Sequence, residues 1–302
     1  MNLDVDLERA AANRKVWAAF LLLALAWGTS FMFIKIAVQT VQPVTLVTLR
    51  LLIGWLGLML VMRWRGASLP RRAAVWRHLL FVGVVNVAIP FVLIVWSESG
   101  DQGLDSGVTS VINSTVPLFS ILIAGLILQM ETVTGNKVLG LLVGIGGVVL
   151  LLSRGFGREW GGLLPYLAVV TAAACYAIGS SYARRHLQGI RPVVLATGQL
   201  LVADAAVFLV ALLVDDFGAQ SFPPATILAL LWLGLMGSCL AYILYFYVLQ
   251  EWGATRTTLV TYLIPVVGVT AGVLFLGEAL DWRLLAGGAL ILGGIGAVNL
   301  RP

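Results

Sequence analysis

Apolar runs separated by short polar turns make up most of this 302-residue chain. Each run holds roughly 20 residues, the length that an α-helix needs to cross the hydrocarbon core of a bilayer. Because lipid offers no hydrogen-bond partners to an open backbone, the runs are predicted to be helices. The ten predicted spans are 16–39, 44–62, 77–97, 104–129, 135–152, 161–183, 192–214, 225–248, 253–276 and 283–300.

The pattern therefore predicts an all-α polytopic membrane protein, and the composition agrees with that prediction. Hydrophobic residues make up 60% of the chain and charged residues 11%, against about 25% charged residues in a soluble domain. The net charge of +5 comes from short basic clusters between apolar runs. Such clusters suit lipid headgroups, so we expect the bilayer and no nucleic acid as a partner.

The basic residues also predict the orientation. Lys and Arg concentrate in the tail 1–15 and in the loops that follow the second and sixth spans. The positive-inside rule then places both termini in the cytoplasm and the protein in the inner (plasma) membrane. On the opposite side the loops carry Glu98, Asp101, Asp105, Asp215 and Asp216, with the basic residues Lys35, Arg154, Arg158 and Arg283 as exceptions.

The two halves of the chain repeat each other. Val116-Pro117 recurs as Ile264-Pro265, 148 positions later, and Glu131 recurs as Glu278, 147 positions later. Five spans in each half is an odd number, so the second half is predicted to cross the membrane in the opposite direction, as in many secondary transporters. The predicted units are a cytoplasmic tail 1–15, a first five-helix repeat 16–152 and an inverted five-helix repeat 161–300.

The two halves, the segment Trp27-Gly28-Thr29-Ser30-Phe31, and Pro265 followed by Gly277-Glu278 resemble the EamA family of the drug/metabolite transporter superfamily. The resemblance covers nearly the whole chain. It implies a ten-helix carrier that exports small metabolites, with spans 1, 3, 4, 6, 8 and 9 around a central cavity. Spans 2 and 7 would then be peripheral, and spans 5 and 10 would pack together. The aromatic-rich composition is similar to that of YddG-type amino-acid exporters.

Polar and aromatic side chains deep in the implied cavity spans are the candidate substrate site. A buried amide is costly in lipid, so it should face protein or a wet cavity. Interhelical hydrogen bonding is the alternative role for these polar groups, and an interfacial aromatic belt is the alternative for Trp96. The candidates are Trp27, Ser30, Asn86, Trp96, Asn113, Thr115, Tyr176, Ser180, Ser238, Tyr242, Thr261 and Tyr262.

Three prolines and two charges within the spans are further candidates. Pro117, Pro265 and Pro90 each remove a backbone hydrogen bond, so each is a candidate hinge or a static kink. Arg50 in span 2 and Asp204 in span 7 are embedded charges. They could pair with each other, or Asp204 could couple transport to protons.

Small residues and missing motifs complete the prediction. The glycine faces of spans 5 and 10 favour close packing of these helices, or a homodimer contact through them. No His, Asp or Glu cluster has metal-ligand spacing, and His78 and His186 fall in predicted cytoplasmic loops. No nucleophile triad, phosphate loop or dinucleotide fingerprint is present, so neither a metal, a cofactor nor an enzyme activity is expected.

The sequence thus predicts an inner-membrane exporter of small metabolites, with aromatic or other apolar amino acids as the favoured cargo. Aromatic and uncharged polar walls would suit a zwitterion. A drug or cation exporter is the first alternative, although the first span lacks the embedded carboxylate of small multidrug pumps. A membrane enzyme or lipid-handling protein is the alternative from another class.

Overall fold

The computed structural model describes residues 3–127, 134–155 and 162–299, and these are helical apart from turns and short loops. The α-helices in chain order are α1 Leu3–Ala37, α2 Pro43–Trp64, α3 Ala73–Gly83, α4 Ile89–Ser97, α5 Ser106–Asn113, α6 Val116–Ile121, α7 Gly135–Leu152, α8 Leu164–His186, α9 Pro192–Val214, α10 Pro224–Leu231, α11 Ala241–Thr257, α12 Val260–Leu276 and α13 Trp282–Asn299. Three π-helical segments, Val84–Ala88, Leu122–Ile127 and Trp232–Leu240, continue α3, α6 and α10.

Seven helical stretches in the described part of the chain are long and apolar enough to cross a membrane. They are Asn13–Ala37, Pro43–Trp64, Ala73–Ser97, Gly135–Leu152, Leu164–His186, Pro192–Val214 and Pro224–Gly253. Two shorter apolar helices, Val260–Leu276 and Trp282–Val298, follow them. The chain is therefore a helical membrane protein.

Helices from opposite halves pack side by side in the described part of the chain, most extensively in the pairs α7–α13 and α2–α9. Gly147 of α7 lies against Gly287 of α13, and Gly140 lies against Gly294 and Val298, so the two helices run antiparallel. A methyl group at Gly147 would come within 2.6 Å of the Gly287 carbonyl oxygen. The glycine faces therefore allow close packing within the chain, and a homodimer through them stays a prediction. Helix α2 packs against α9 in the other pair.

The boundaries differ from the predicted spans where the backbone changes geometry. Helix α1 begins at Leu3, before the predicted span that starts at residue 16. Hydropathy indicates where a helix enters the membrane, and it does not indicate where the helix itself begins. The predicted span 253–276 begins later, at Val260, since Gly253 has φ 74° and residues Thr258 and Leu259 form a turn. Residues 128–129, 161 and 300 of the predicted spans, and Glu131 and Arg158, lie outside the described residues.

The three prolines sit in different local structures. Pro117 follows a break at Ser114 and Thr115, and Pro90 follows the π-helical segment Val84–Ala88. Both positions suit a residue that has no backbone N–H. Pro265, the repeat counterpart of Pro117, instead lies inside the continuous helix α12. The two halves are thus not equivalent at the positions where hinges are predicted.

The charged loops gather at the two ends of the bundle. We call one end the acidic end, which contains Glu98, Asp101, Asp105, Asp215, Asp216, Glu278 and Asp281. We call the other the basic end, which contains Arg63, Arg65, Arg71, Arg72, Arg184, Arg185 and Arg191. His78 and His186 lie near the basic end, in helices α3 and α8 and not in loops, with their rings stacked at 5.1 Å.

Candidate functional site

Close packing between α2 and the π-helical segment Trp232–Leu240 brings their side chains into the middle of the bundle. A Cβ atom on Gly54 would lie 2.7 Å from the Cβ of Ser238, and one on Gly57 would lie 2.8 Å from the Cys239 sulfur. Because neither glycine carries a Cβ, the backbones approach closely enough for side chains from these two elements to meet. Ser238 itself is fully buried.

Arg50 projects from α2 into this central region and is only 5% exposed. Its Nε donates a hydrogen bond to the Ser238 hydroxyl at 3.2 Å. Its Cζ lies 4.2 Å from the centroid of the Phe91 ring of α4, a cation–π contact. The resemblance implied that span 2 is peripheral, but α2 supplies the central cation.

Two tyrosines from the second half surround the same region. Tyr176 of α8 and Tyr242 of α11 lie close enough to interact electrostatically with Arg50. Both pack against the hydrophobic cluster that contains Phe91. The predicted site residues Arg50, Tyr176, Ser238 and Tyr242 are therefore brought together by the fold.

Aromatic rings extend the site toward α1. The Trp27 and Tyr245 rings lie 5.7 Å apart, and Tyr245 contacts Phe246 at 5.2 Å. The Trp232 indole N–H donates to the Thr29 hydroxyl at 3.1 Å. Sequence reasoning missed Trp232 and Phe91, because a Trp or Phe in an apolar span carries no signal of which way it faces.

Ser180 lies one turn after Tyr176 on α8 and is exposed. The exposed apolar residues Leu164, Leu167 and Ile178 form a stripe on the opposite side of this helix. Ser180 thus faces open space on the side that carries Tyr176, whereas Leu164, Leu167 and Ile178 face outward.

A cleft of about 340 Å³ opens at the basic end between α2, α9 and α11. Arg65 and Arg191 lie on its walls, together with Phe246, Tyr247 and Gln250. Tyr242 also lines the cleft, and it belongs to the group around Arg50 as well. Tyr242 is therefore shared by the cleft and the group around Arg50.

Asn86 and Ser30 fill tight helix contacts near this group. The Asn86 side chain packs directly on Gly179 of α8, and the Ser30 hydroxyl faces Gly237 while donating to the Ala26 carbonyl at 2.7 Å. Both contacts fit the alternative in which these polar residues serve helix packing.

Other predicted residues lie elsewhere. Thr115 is fully buried and donates to the Ile112 carbonyl at 2.7 Å, while Thr261 donates to the Thr258 carbonyl at 2.7 Å. Tyr262 packs in a second cluster, which contains Val108 and Ile291.

Asn113 and Trp96 differ from the rest in exposure. The Asn113 side-chain oxygen is enclosed and has no hydrogen-bond partner among the described residues. Trp96 is 43% exposed and lies on the same helix face as exposed Ile89. That position favours the interfacial-belt alternative for Trp96.

The two embedded charges do not pair with each other. Among the described residues, Arg50 makes no ion pair with a carboxylate, and one oxygen of Asp204 is enclosed without a hydrogen-bond partner. The predicted pairing of Arg50 with Asp204 is therefore absent from this structure.

Glu98, which the sequence placed in a loop, lies at the acidic end near the partly buried Lys35 of α1. Glu98 is fully buried, and burial raises the pKa of its carboxyl well above 4.5, with Lys35 opposing the rise and Glu278 adding to it. The two Glu98 carboxylate oxygens accept no hydrogen bond from the described residues, since the Thr109 hydroxyl donates to the Asp105 carbonyl. The Lys35 ammonium donates to the backbone carbonyls of Leu104 at 2.9 Å and Glu98 at 3.0 Å.

Known proteins with similar sequences are transporters. The EamA-like transporter family matches residues 15–153 and 163–300. An uncharacterized transporter of Archaeoglobus fulgidus is 26% identical over 93% of this chain and 97% of its own. The uncharacterized inner membrane transporter YedA of Escherichia coli is 26% identical over 89% of this chain and 87% of its own. A probable amino-acid metabolite efflux pump of Escherichia coli is 23% identical over 94% of each.

One crystal structure of a protein shares the fold. It superposes with a TM-score of 0.67 at 22% identity, and the match covers 94% of this chain and 96% of that one.

Proposed function

Because the chain belongs to the EamA-like transporter family, we propose that it exports small metabolites, and amino acids in particular, across the inner membrane. The observation that carries this proposal is the central group of Arg50, Tyr176, Ser238 and Tyr242, which the cleft at the basic end approaches through Tyr242. A polar group within apolar helices marks a substrate path by default. The similar efflux pump, whose name specifies an amino-acid metabolite, supports the choice of cargo.

The proposed architecture has ten membrane-spanning helices in two inverted halves. Antiparallel packing of α7 against α13 and the pairing of α2 with α9 support it, because inverted repeats bring equivalent helices together in opposite directions. The helices α5, α6 and Leu122–Ile127 would act together as the fourth span.

Both termini would be cytoplasmic, so the basic end would face the cytoplasm. The cleft then opens inward, while hydrogen bonds and ion pairs hold the acidic end closed. In alternating access the halves would rock until the acidic end opens and the cleft closes. Pro117 and the break before it, with Pro265 and Pro90, would be the places where helices bend.

Transport by purified protein in liposomes tests the proposal. The vesicles are loaded with labelled amino acids, and efflux is followed with and without an imposed pH gradient. We expect efflux of apolar and aromatic amino acids, and Trp27→Ala should slow it by about tenfold, since it removes the ring that contacts Tyr245. Trp64→Ala is the control, because Trp64 is 84% exposed at the end of α2.

The alternatives predict other outcomes in the same assay. Movement of a quaternary ammonium dye without movement of any amino acid would replace the cargo with a drug or cation. A lack of any flux, together with headgroup chemistry on added lipid, would favour a membrane enzyme or lipid-handling protein. A dependence of the efflux on the pH gradient would identify proton coupling, for which Asp204 and Glu98 are the candidates.

A further inference from the structure

The Arg50 guanidinium is buried with most of its hydrogen-bonding capacity unused. A guanidinium has five N–H donors, and the Nε–H is the one that has an acceptor in the described part of the chain, the Ser238 hydroxyl. The two terminal nitrogens have no acceptor among the described residues, and they are not fully enclosed. Their N–H groups can therefore donate to an additional acceptor.

Among the described residues, the charge of Arg50 also has no ion-pair partner. The Glu98 carboxylate acts on Arg50 electrostatically but forms no ion pair with it. Burial of an unpaired cation is costly, and an anion that reaches it recovers part of that cost. The cation–π contact with Phe91 stabilises the cation without neutralising it.

The contacts of Arg50 also fix its orientation. Ser238 holds Nε at 3.2 Å and the Phe91 ring lies under the guanidinium plane at 4.2 Å. This arrangement restricts rotation of the guanidinium, and the two terminal nitrogens have no acceptor among the described residues. The edge that carries these nitrogens matches a carboxylate, which accepts two parallel N–H bonds from an arginine.

We propose that Arg50 binds the carboxylate of the transported metabolite, so the cargo is an organic acid or amino acid whose other end packs on the aromatic rings. The proposal rests on the proposed export function. Tyr176 and Tyr242 lie within electrostatic reach of Arg50, and Tyr242 also lines the cleft at the basic end. Ser238 is then a positioning residue for the guanidinium.

A purely structural role for Arg50 makes a different prediction. If Arg50 only links α2 to the π-helical segment through Ser238, its replacement should destabilise the protein without changing which compounds are bound. The carboxylate proposal instead requires that selectivity between an acid and its amide depend on Arg50. A comparison of compounds that differ in this one group separates the two roles.

The experiment compares phenylalanine and leucine with their carboxamides in liposomes that hold the wild type, Arg50→Gln, Arg50→Lys or Arg63→Gln. Arg63 lies on the same helix but is exposed at the basic end, so it is a matched control. Transport is measured with the thermal stability of each purified variant, with and without each compound. A compound that binds the folded protein raises its melting temperature.

We expect the wild type and Arg63→Gln to prefer the acids over the amides by about 10- to 100-fold. This is the ratio in affinity that hydrogen bonds between charged groups typically produce. Arg50→Gln should lose that preference by slowing the acids and not the amides. Arg50→Lys keeps the charge but not the paired donors, so it should show an intermediate preference.

Equal handling of acids and amides by the wild type would overturn the carboxylate proposal and leave the export function intact. The same conclusion follows if Arg50→Gln or Arg50→Lys folds and retains the full preference. If Arg50→Gln does not fold, the test rests on the other proteins. A wild-type preference for the acids that is reduced in Arg50→Lys supports the carboxylate proposal, and a full preference in Arg50→Lys overturns it. If the wild type neither moves nor is stabilised by any of the four compounds, the amino-acid export function fails and the carboxylate proposal with it.

Discussion

The acidic and basic ends of the bundle are held together in different ways. At the acidic end, side chains of one half bind the backbone or side chains of the other: Glu278 binds the start of α5, Asp215 binds the start of α2, and Arg154 pairs with Asp281. At the basic end, His78 is hydrogen-bonded to the Tyr182 hydroxyl of the other half at 2.8 Å, and an open cleft lies at the same end.

This difference suggests how the molecule could change state. The interactions at the acidic end are separate polar contacts. Each of them can therefore break on its own during a transport cycle. The cleft at the basic end has aromatic walls that could close on each other. If the acidic-end contacts hold this state, weakening them one by one should open that end by graded amounts.

Glu278 should have the largest effect. Its two carboxylate oxygens accept the backbone N–H groups of Ser106 at 2.6 Å and Gly107 at 2.9 Å, at the positive end of α5. Glu278→Gln replaces one acceptor by an NH₂ group that cannot accept. Because hydrogen bonds to charged groups contribute about 1.5–3 kcal/mol, the acidic end should open at least about tenfold more often.

The opening can be measured with a cysteine at Ser106, which is fully buried in this state. In protein whose Cys175 and Cys239 are replaced by Ala, Glu278→Gln should speed labelling of that cysteine by an impermeant maleimide. Glu251→Gln, an exposed position near the basic end, is the control. Equal labelling rates with and without Glu278 would show that this contact does not hold the acidic end.

Glu98 should make the stability of the closed acidic end depend on pH. Burial raises the pKa of its carboxyl above 4.5, and Glu278 adds to this effect, whereas Lys35 and Arg50 oppose it. A carboxyl group whose pKa is higher in the folded state than in the unfolded state stabilises the folded protein when it is protonated. Its full contribution is present below the unfolded-state pKa, and it is lost as the pH rises through the folded-state pKa. The melting temperature should therefore fall as the pH rises above about 4.5.

Glu98→Gln should flatten this decrease, because the amide mimics the protonated carboxyl at every pH. Asp101→Asn, at an exposed site in the same loop, should leave it unchanged. The assignment to Glu98 is wrong if the melting temperatures of the wild type and of Glu98→Gln fall by the same amount as the pH rises.

Asp215 should have a smaller effect. Its carboxylate accepts the Thr45 backbone N–H at 2.7 Å and the Thr45 hydroxyl at 2.8 Å, so it caps α2 from the other half. Loss of a helix cap costs about 1 kcal/mol, so Asp215→Ala should lower the stability by that amount. Asp215→Ala should therefore speed labelling at Ser106 less than Glu278→Gln does. The neighbouring Asp216 carboxylate binds the Gly218 N–H within its own turn, so Asp216→Ala is the control and should leave the labelling unchanged.

The sign of the charge at each end could be predicted from the sequence, but the partners of those charges could not. Lys35, Arg154 and Arg283 were exceptions to the positive-inside pattern. In the structure each has a partner: Lys35 and Arg283 bind backbone carbonyls, and Arg154 binds Asp281. These contacts join segments that are distant in sequence, so hydropathy and charge counts do not indicate them.

The candidate site shows the same limit at the level of single side chains. The depth of Arg50 and Ser238 in their spans could be read from the sequence, and so could the aromatic character of Tyr176 and Tyr242. Their convergence depends on close packing at Gly54 and on the π-helical segment Trp232–Leu240, which turns Ser238 toward α2. Neither feature has a periodic signature, and the sequence also allowed Arg50 to pair with Asp204.

Arg154 should have the smallest effect at the acidic end and the one most sensitive to salt. Its Nε lies 2.8 Å from Asp281 Oδ2 and its Nη2 lies 3.5 Å from Asp105 Oδ2, but both carboxylates are over one-third exposed, at 37% and 41%. Ion pairs of this kind contribute about 0–1 kcal/mol and are screened by salt. Arg154→Gln should therefore speed labelling at Ser106 only a few-fold at low ionic strength, and the difference from the wild type should shrink in about 1 M salt.

Glu278→Gln should keep most of its effect in the same salt, because its bonds to Ser106 and Gly107 are shielded from solvent. A salt response of equal size in the two variants would mean that the acidic end is held by its overall charge and not by the individual contacts.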